Sequence, residues 1–351
     1  MKKITVAILF GGCSSEYEVS LKSMSSVLEN IDQDKYHVIL IGITREGRWL
    51  RYDGSIDRIL DNSWHQSDDS VPAFLSPCRQ MQGIVALNNG TITTTKIDVV
   101  FPVLHGKNGE DGTVQGLLEL AGIPFVGCHT LSSAICMDKD FAHILANSSG
   151  IKTPRSVTAF KNTNLDTLIS ATKTLGFPLY VKPAKEGSSN GITKAQNTAE
   201  LILGIEKAFS HDNKVVIEEN IPGFEVGCAV LGNSDVIVGE VDEIELLHGF
   251  FNYEEKYSLT TALIHVPARI EKEVAEKIKE TAIHLYQVFG CRGFARVDMF
   301  ITPNGDVVFN EVNTIPGFTT KSRYPSMLSS AGLSYTEVID KLISLAMEEG
   351  Y

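Results

Sequence analysis

The chain contains no G-x-x-x-x-G-K-[ST] pattern, no G-x-G-x-x-G and no C-x-x-C. The first absence excludes a P-loop nucleotide site, and the second sets aside a dinucleotide oxidoreductase. Six cysteines are scattered at 13, 78, 128, 136, 228 and 291 without metal-ligand spacing, which fits a reduced cytoplasmic compartment. No apolar run approaches the ~20 residues a membrane span needs. The opening "MKKITVAILFGG" has only a short apolar run ending in Gly-Gly, so it reads as a first core strand and not as a leader. Positive charge is also scarce: 31 Lys and Arg face 43 Asp and Glu, a net charge of -12. That balance argues against nucleic acid or an anionic membrane as the partner. An anionic substrate would require the available cations to gather in one place.

What is present is ordinary for a soluble enzyme, with 43% apolar and 21% charged residues. A length of 351 residues predicts two or three packed domains. The first third alternates strand and helix: "TVAILF", a glycine turn with an amphipathic helix, "YHVILIGIT", "KIDVVFPVLHG", and a helix stopped by Gly122. This is a doubly wound α/β pattern. Residues 52–95 are polar and less regular, and no function is assigned to them. A helix is predicted over 131–149. Strand pairs are predicted within 178–195 and 214–232. Further helices are predicted at 271–289 and 334–348.

The segment "RVDMFITPNGDVVFNEVN" predicts a hairpin closed at Asn304-Gly305. Alternation puts Arg296 and Asp298 on one face of its first strand, and Glu311 and Asn313 on one face of its second. If the faces coincide, two carboxylates, an amide and a guanidinium converge. Nearby carboxylates repel unless a cation lies between them. Oxygen ligands of this kind suit Mg²⁺ beside phosphates. "EGSSNG" (186–191) reads as a phosphate-wrapping loop or a plain hairpin turn. Lys182, in the apolar strand before it, calls for an anion. Lys139, taken alone, reads as a solvated helix residue, and Glu218 and Glu225 as exposed acids. Glu16 reads equally as a favourable first-turn acid. The loop "LHGKNGEDG" follows a strand where α/β sheets bind ligands.

Together "GGCSSEYEVSL", "LHGKNGEDGTVQG", "MDKD", "VKPAKEGSSNG", "EENIPGFE", "FFNYEEKY", "ARVDMF" and "NEVNTIPGFT" resemble the D-alanine–D-alanine ligase family. The resemblance implies a mixed α/β and α+β chain: an N-terminal doubly wound domain followed by a two-lobed ATP-grasp fold. The expected boundaries are 1–128, 129–219 and 220–351, with a lid at 246–262. It implies ATP and two Mg²⁺ ions, with Mn²⁺ as a substitute, held by Asp298, Glu311 and Asn313. Lys139, Lys182 and Lys256 would contact phosphates, Glu218 and the backbone of Asn220 and Ile221 the adenine, and Glu225 the ribose. Glu16, Ser188 and Tyr257 would order the lid over the first substrate. Glu16 would also receive its ammonium, and His105 would lie near its carboxylate. Arg296 and the Gly317 N–H would stabilise the oxyanion, and Ser322 would take the second carboxylate. A homodimer is carried over from the family.

Two positions depart from the ordinary ligases of this family: Phe251 replaces a tyrosine in the lid, and Arg323 an apolar residue. Together with the retained "NYEEKY", they resemble the D-alanine–D-serine ligases of vancomycin resistance, of VanG and VanC type. A guanidinium can hydrogen-bond the hydroxyl by which D-serine differs from D-alanine. An acid such as Asp242 lies within the expected reach of Arg323, which would weaken that discrimination. Alternatives are a D-alanine–D-alanine ligase and a silent nucleotide sensor. The presence of all three metal ligands and both phosphate lysines counts against the sensor.

Overall fold

A computed structural model of the chain describes residues 2–88, 90–246 and 262–348. The expected lid residues Phe251, Lys256 and Tyr257 lie outside the described residues.

The first sheet contains β1 (Ile4–Gly11), β2 (Tyr36–Ile43), β3 (Trp49–Tyr52), β4 (Ser70–Leu75), β5 (Gly83–Asn88), β6 (Thr91–Lys96) and β7 (Val99–Val103), in the order β6-β5-β4-β3-β2-β1-β7. Helices α1 (Tyr17–Asn30), α2 (Ile56–Leu60) and α3 (Thr113–Ala121) accompany it. Only β2, β1 and β7 run parallel, joined by a parallel bridge from Val100 to Phe125. These strands are apolar on both faces because helices cover both. Residues 52–95, irregular by pattern, supply an antiparallel flank instead. In β6 the sequence TITTTK is almost wholly exposed, so apolar periodicity had nothing to report. α1 buries Tyr17, Leu21, Met24 and Val27 at helical spacing. α3 stops at Gly122, whose φ of +62° suits glycine.

The single helix expected over 131–149 is two, α4 (Thr130–Met137) and α5 (Lys139–Ser148). Asp138 breaks it. Its backbone is extended at φ -88° and ψ 100°, and its side chain accepts from Phe141 N to cap α5. Lys139 thereby becomes the first residue of a new helix.

The second sheet holds β8 (Ser156–Phe160), β9 (Leu179–Pro183), β10 (Thr193–Ala195) and β11 (Lys214–Glu219), ordered β10-β9-β11-β8, with α6 (Leu165–Thr172) and α7 (Thr198–His211). Its first and last strands are neighbours, so Ser156 pairs with Glu218. The third sheet holds β12 (Phe224–Gly232), β13 (Val236–Val238), β14 (Asp242–Leu246), β15 (Ala262–His265), β16 (Phe294–Ile301) and β17 (Val307–Asn313). Its order is β15-β14-β12-β16-β17, with β13 on β12. Helices α8 (Lys272–Val288), α9 (Arg323–Ser330) and α10 (Tyr335–Met347) complete the fold, and a Ser334/Glu337 capping box starts α10.

Three of the four apolar clusters bear on the site. One runs from Val6, Ile8 and Phe101 of the first sheet to Phe294, Phe318, Tyr324 and Leu342. A second joins Ala142 and Ala146 of α5 to Leu285, Val297 and Phe309. The second sheet closes its own core, from Ala159 and Leu179 to Leu201 and Ile217, and among the described residues shares it with no other sheet.

Candidate active site

The Asn-Gly hairpin sets the register of the site. Arg296 pairs with Asn313 and Asp298 with Glu311, so the expected coincidence of faces is observed. Arg296 Nε and Nη2 grip Asp298 Oδ1 and Oδ2 at 2.8 and 2.7 Å. Asn313 Nδ2 donates to Asp298 Oδ2 at 2.9 Å. Lys139 Nζ lies 3.5 Å from Glu311 Oε2 and donates to the Glu186 carbonyl at 2.9 Å. The lysine that alone read as solvated is buried. A β-bulge follows Asp298/Glu311, and Met299 next pairs with Phe309. The unpaired residue, Asn310, is thereby re-aimed. Its carbonyl faces His143 Nε2 at 2.9 Å, and its Oδ1 faces Lys182 Nζ at 3.5 Å. Strict alternation would have turned Asn310 away, so sequence reasoning missed it.

The row of polar groups continues across the sheet. Gly227 of β12 pairs with Asp298 on one side and Asp242 on the other. A Cβ at 227 would meet Arg323 Nη2 at 2.5 Å, Asp242 Oδ1 at 2.8 Å and Asp298 Oδ1 at 2.9 Å. The missing side chain makes room for the Arg323 guanidinium. Arg323 Nε and Nη2 bind Asp242 Oδ2 and Oδ1 at 2.6 and 2.8 Å, and Nη1 donates to Glu225 Oε1 at 3.1 Å. Nη2 also lies 3.4 Å from Asp298 Oδ1. Burial works against the Arg323 charge. Asp242, Asp298 and Glu225 outweigh it and hold its ionisation well above the usual arginine value. The expected contact with Asp242 is therefore a buried, bidentate one.

Facing this sheet, Lys182 on β9 pairs with Glu218 on β11 at 2.6 Å. Burial pushes the Glu218 carboxyl up, but Lys182 and His143 pull it below the usual range. Burial likewise lowers Lys182, and Glu218 more than reverses it. Glu218 Oε1 is buried and, among the described residues, has no hydrogen-bond partner; it lies 3.8 Å from His143 Nδ1. An orphaned buried acceptor calls for a donor from outside the chain. It lines a cavity of about 630 Å³ between the second and third sheets. Lys139, Lys182, Asn220, Ile221, Glu225, Asn310 and Glu311 also line it. Tyr180 joins them, with Lys194 Nζ 5.6 Å from the centre of its ring.

Glu16 is buried where three loops meet. Ser188 Oγ donates to it, although 172 positions separate the two. Cβ atoms at Gly106 and Gly187 would lie 2.7 and 2.8 Å from its Oε2, so both loops approach it because they carry glycine there. Ser188 and Ser189 hold φ values of +51° and +57°, which non-glycine residues adopt at some cost. His105 Nδ1 faces the Ile315 carbonyl at 3.0 Å and Nε2 faces Ser23 Oγ at 3.1 Å. A carbonyl only accepts, so Nδ1 carries the proton. Burial holds the His105 pKa below the usual histidine value, so the ring is neutral. Nδ1 thus ties the end of the first sheet to the 314–318 loop, and Nε2 ties it to α1. Ser322 Oγ accepts from Thr319 N at 3.0 Å and sits where a Cβ at Gly317 would approach it to 3.3 Å. Glu110, unassigned by sequence, accepts from Gly106 N at 3.1 Å. Burial of its carboxyl, with Glu16 adding, pushes it up to about 8.

Models of the D-ala D-ala ligase N-terminus and C-terminus match residues 5–128 and 147–344. The chain belongs to the D-alanine–D-alanine ligase family. The resemblance drawn from the eight motifs holds, as does the ATP-grasp architecture. Members of this family are ATP-dependent ligases that form a peptide bond. The chain is 49% identical to the D-alanine–D-alanine ligase of Caldicellulosiruptor bescii, over 99% of this chain and 96% of that one. It is 48% identical to the vancomycin B-type resistance protein VanB of Enterococcus faecalis, over 99% of this chain and 100% of that one. The solved VanG D-Ala:D-Ser ligase of Enterococcus faecalis matches with a TM-score of 0.91 at 52% identity, covering 98% of this chain and 100% of that chain.

Proposed function

We propose that this ligase joins D-alanine to D-serine, through a D-alanyl phosphate, for peptidoglycan precursors of a vancomycin-resistant kind. The observation that carries the reading is the Arg323 guanidinium. It is fixed on Asp242 over Gly227, beside Asp298 and at the start of the helix that follows Ser322. The similarity to the VanG ligase supports it.

A carboxylate is a poor electrophile. The first D-alanine carboxylate takes the γ-phosphoryl group of ATP, releasing ADP and leaving an acyl phosphate. The amine of the second amino acid attacks that carbonyl, phosphate leaves, and the amine loses a proton. Such chemistry needs placement and charge neutralisation. Lys139 and Lys182 hold phosphates. Glu218 Oε1 accepts the adenine amino group, Asn220 and Ile221 supply backbone contacts, and Glu225 accepts from the ribose. Glu16, held by Ser188, receives the first ammonium. Arg296 and the Gly317 N–H stabilise the oxyanion, and Ser322 takes the second carboxylate. Phe251, Lys256 and Tyr257, which lie outside the described residues, keep the roles that the family resemblance implies for 246–262.

Asp298, Glu311 and Asn313 fit divalent ions. Asp298 and Glu311 are cross-strand partners, and Asn313 Nδ2 donates to Asp298, which sets its amide beside both carboxylates. Among the described residues no three His, Cys, Asp or Glu gather into a metal cage. Two carboxylates and an amide are a set that Mg²⁺, or Mn²⁺, completes with water and phosphate oxygens. When bound, two such ions would neutralise phosphate charge.

Three lobes cut near 128 and 219, a homodimer and a cytoplasmic location belong to this reading. Among the described residues no helix is long and apolar enough to cross a membrane.

Phosphate release with D-alanine plus D-serine, D-alanine or D-lactate tests the reading. The expected outcome is the highest kcat/KM for D-serine as second substrate; a preference for D-alanine sinks it. The likeness to the Caldicellulosiruptor bescii enzyme favours that second reading, a D-alanine–D-alanine ligase.

A further inference from the structure

Glu225 stands between two recognition events. Its side chain lines the nucleotide cavity, and its Oε1 accepts from Arg323 Nη1 at 3.1 Å. It lies two residues from Gly227 on β12, hence on the same face. The carboxylate and the guanidinium therefore meet over the space that Gly227 leaves open.

A guanidinium is a planar fork with five N–H donors. The Nε/Nη2 edge of Arg323 is committed to Asp242, with Nη2 also near Asp298. Nη1 is the remaining corner, and Glu225 takes one of its two N–H groups.

We propose that the bound nucleotide sets the choice of second substrate through Glu225. Ribose hydroxyls engage the Glu225 carboxylate and draw it from Arg323. The released Nη1 N–H then becomes available to the side-chain hydroxyl of the second amino acid. Without the ribose contact the Glu225 carboxylate stays on Nη1 and competes with the hydroxyl for that corner. This rests on the reading of Glu225 as ribose acceptor and Arg323 as serine donor. The two sites are coupled because each competes for one carboxylate, and the coupling is reciprocal.

The test uses the intact enzyme with Mg²⁺ and D-alanine as first substrate, driven by ATP or by 2′,3′-dideoxy-ATP. The readout is the ratio of kcat/KM for D-serine to that for D-alanine as second substrate. With the dideoxy nucleotide the ratio should fall about 5-fold or more. Glu225→Ala frees Nη1 permanently. Its KM for ATP should rise, but its ratio should be the same with both nucleotides. An unchanged ratio in the unmodified enzyme overturns the proposal, as does a nucleotide effect that survives in Glu225→Ala. A ratio below one with ATP instead overturns the serine reading, so the two failures are distinguishable. The nucleotide comparison needs no variant and does not depend on whether Glu225→Ala folds.

Discussion

The second sheet and the pair formed by the first and third sheets are built on different principles. The first and third share a continuous apolar core, in which Phe101 and Phe294 both pack against Phe318. The second keeps its core to itself. It meets the rest largely through polar groups: Ser188 on Glu16, Lys182 facing Asn310, and Lys214 on Asp138 and Asp140 at 2.9 and 2.7 Å. Glu16, Arg296 and the 314–318 loop thus stand on one fixed floor. Lys182 and Glu218 stand on a wall that can tilt without exposing an apolar core. This division suits the proposed reaction, in which a nucleotide is admitted and water is then kept from an acyl phosphate.

The largest effects come from attacking the two cores. Phe318→Ala should cost about 3–5 kcal/mol and Leu201→Ala about 2–5 kcal/mol. Hydrogen exchange separates them. Phe318→Ala should loosen β1, β7 and β16 together, and Leu201→Ala only β8, β9, β10 and β11. Equal loosening everywhere by Leu201→Ala would abolish the distinction. Next, Lys214→Met leaves Asp138 and Asp140, neighbours on one side of the joint, without the cation they share from the other. A loss of about 3 kcal/mol is expected by denaturant titration. KM for ATP should rise while KM for D-alanine holds, and Lys214→Arg should restore both. Gly227→Ala probes the floor with one methyl group. It should push Arg323 aside at about 1–3 kcal/mol and reduce D-serine use more than ATP binding.

The last test is a pH slope. Glu110 is raised from 4.5 to about 8 in the folded protein. Between those values the folded state holds a proton that the unfolded chain has lost, so stability falls as pH rises through that window. Glu110→Gln should flatten that fall in melts taken from pH 5 to 8. An unchanged slope would show that the carboxyl is ionised on the floor.

Local order in the sequence made the floor legible, and distance hid the rest. The Asn-Gly turn and strict alternation placed Arg296, Asp298, Glu311 and Asn313 correctly, because a hairpin is decided within about twenty residues. Alternation failed one residue away, at Asn310, where a bulge resets the phase. The break at Asp138 escaped because 131–149 keeps an apolar spacing through it, and only the cap marks the new start. Contacts such as Glu16 with Ser188, His105 with Ile315 and Arg323 with Glu225 join segments about one to two hundred residues apart. No periodicity carries that information, and the family resemblance supplied what was expected there.

The pairing of Ser156 with Glu218 means that the chain enters and leaves the second sheet through one doorway. Such a segment behaves as a cassette: a foreign piece of matching ends can replace it without re-threading its host. Amino-acid choice would then stay with the host and phosphate grip would travel with the insert, so evolution could exchange one while keeping the other.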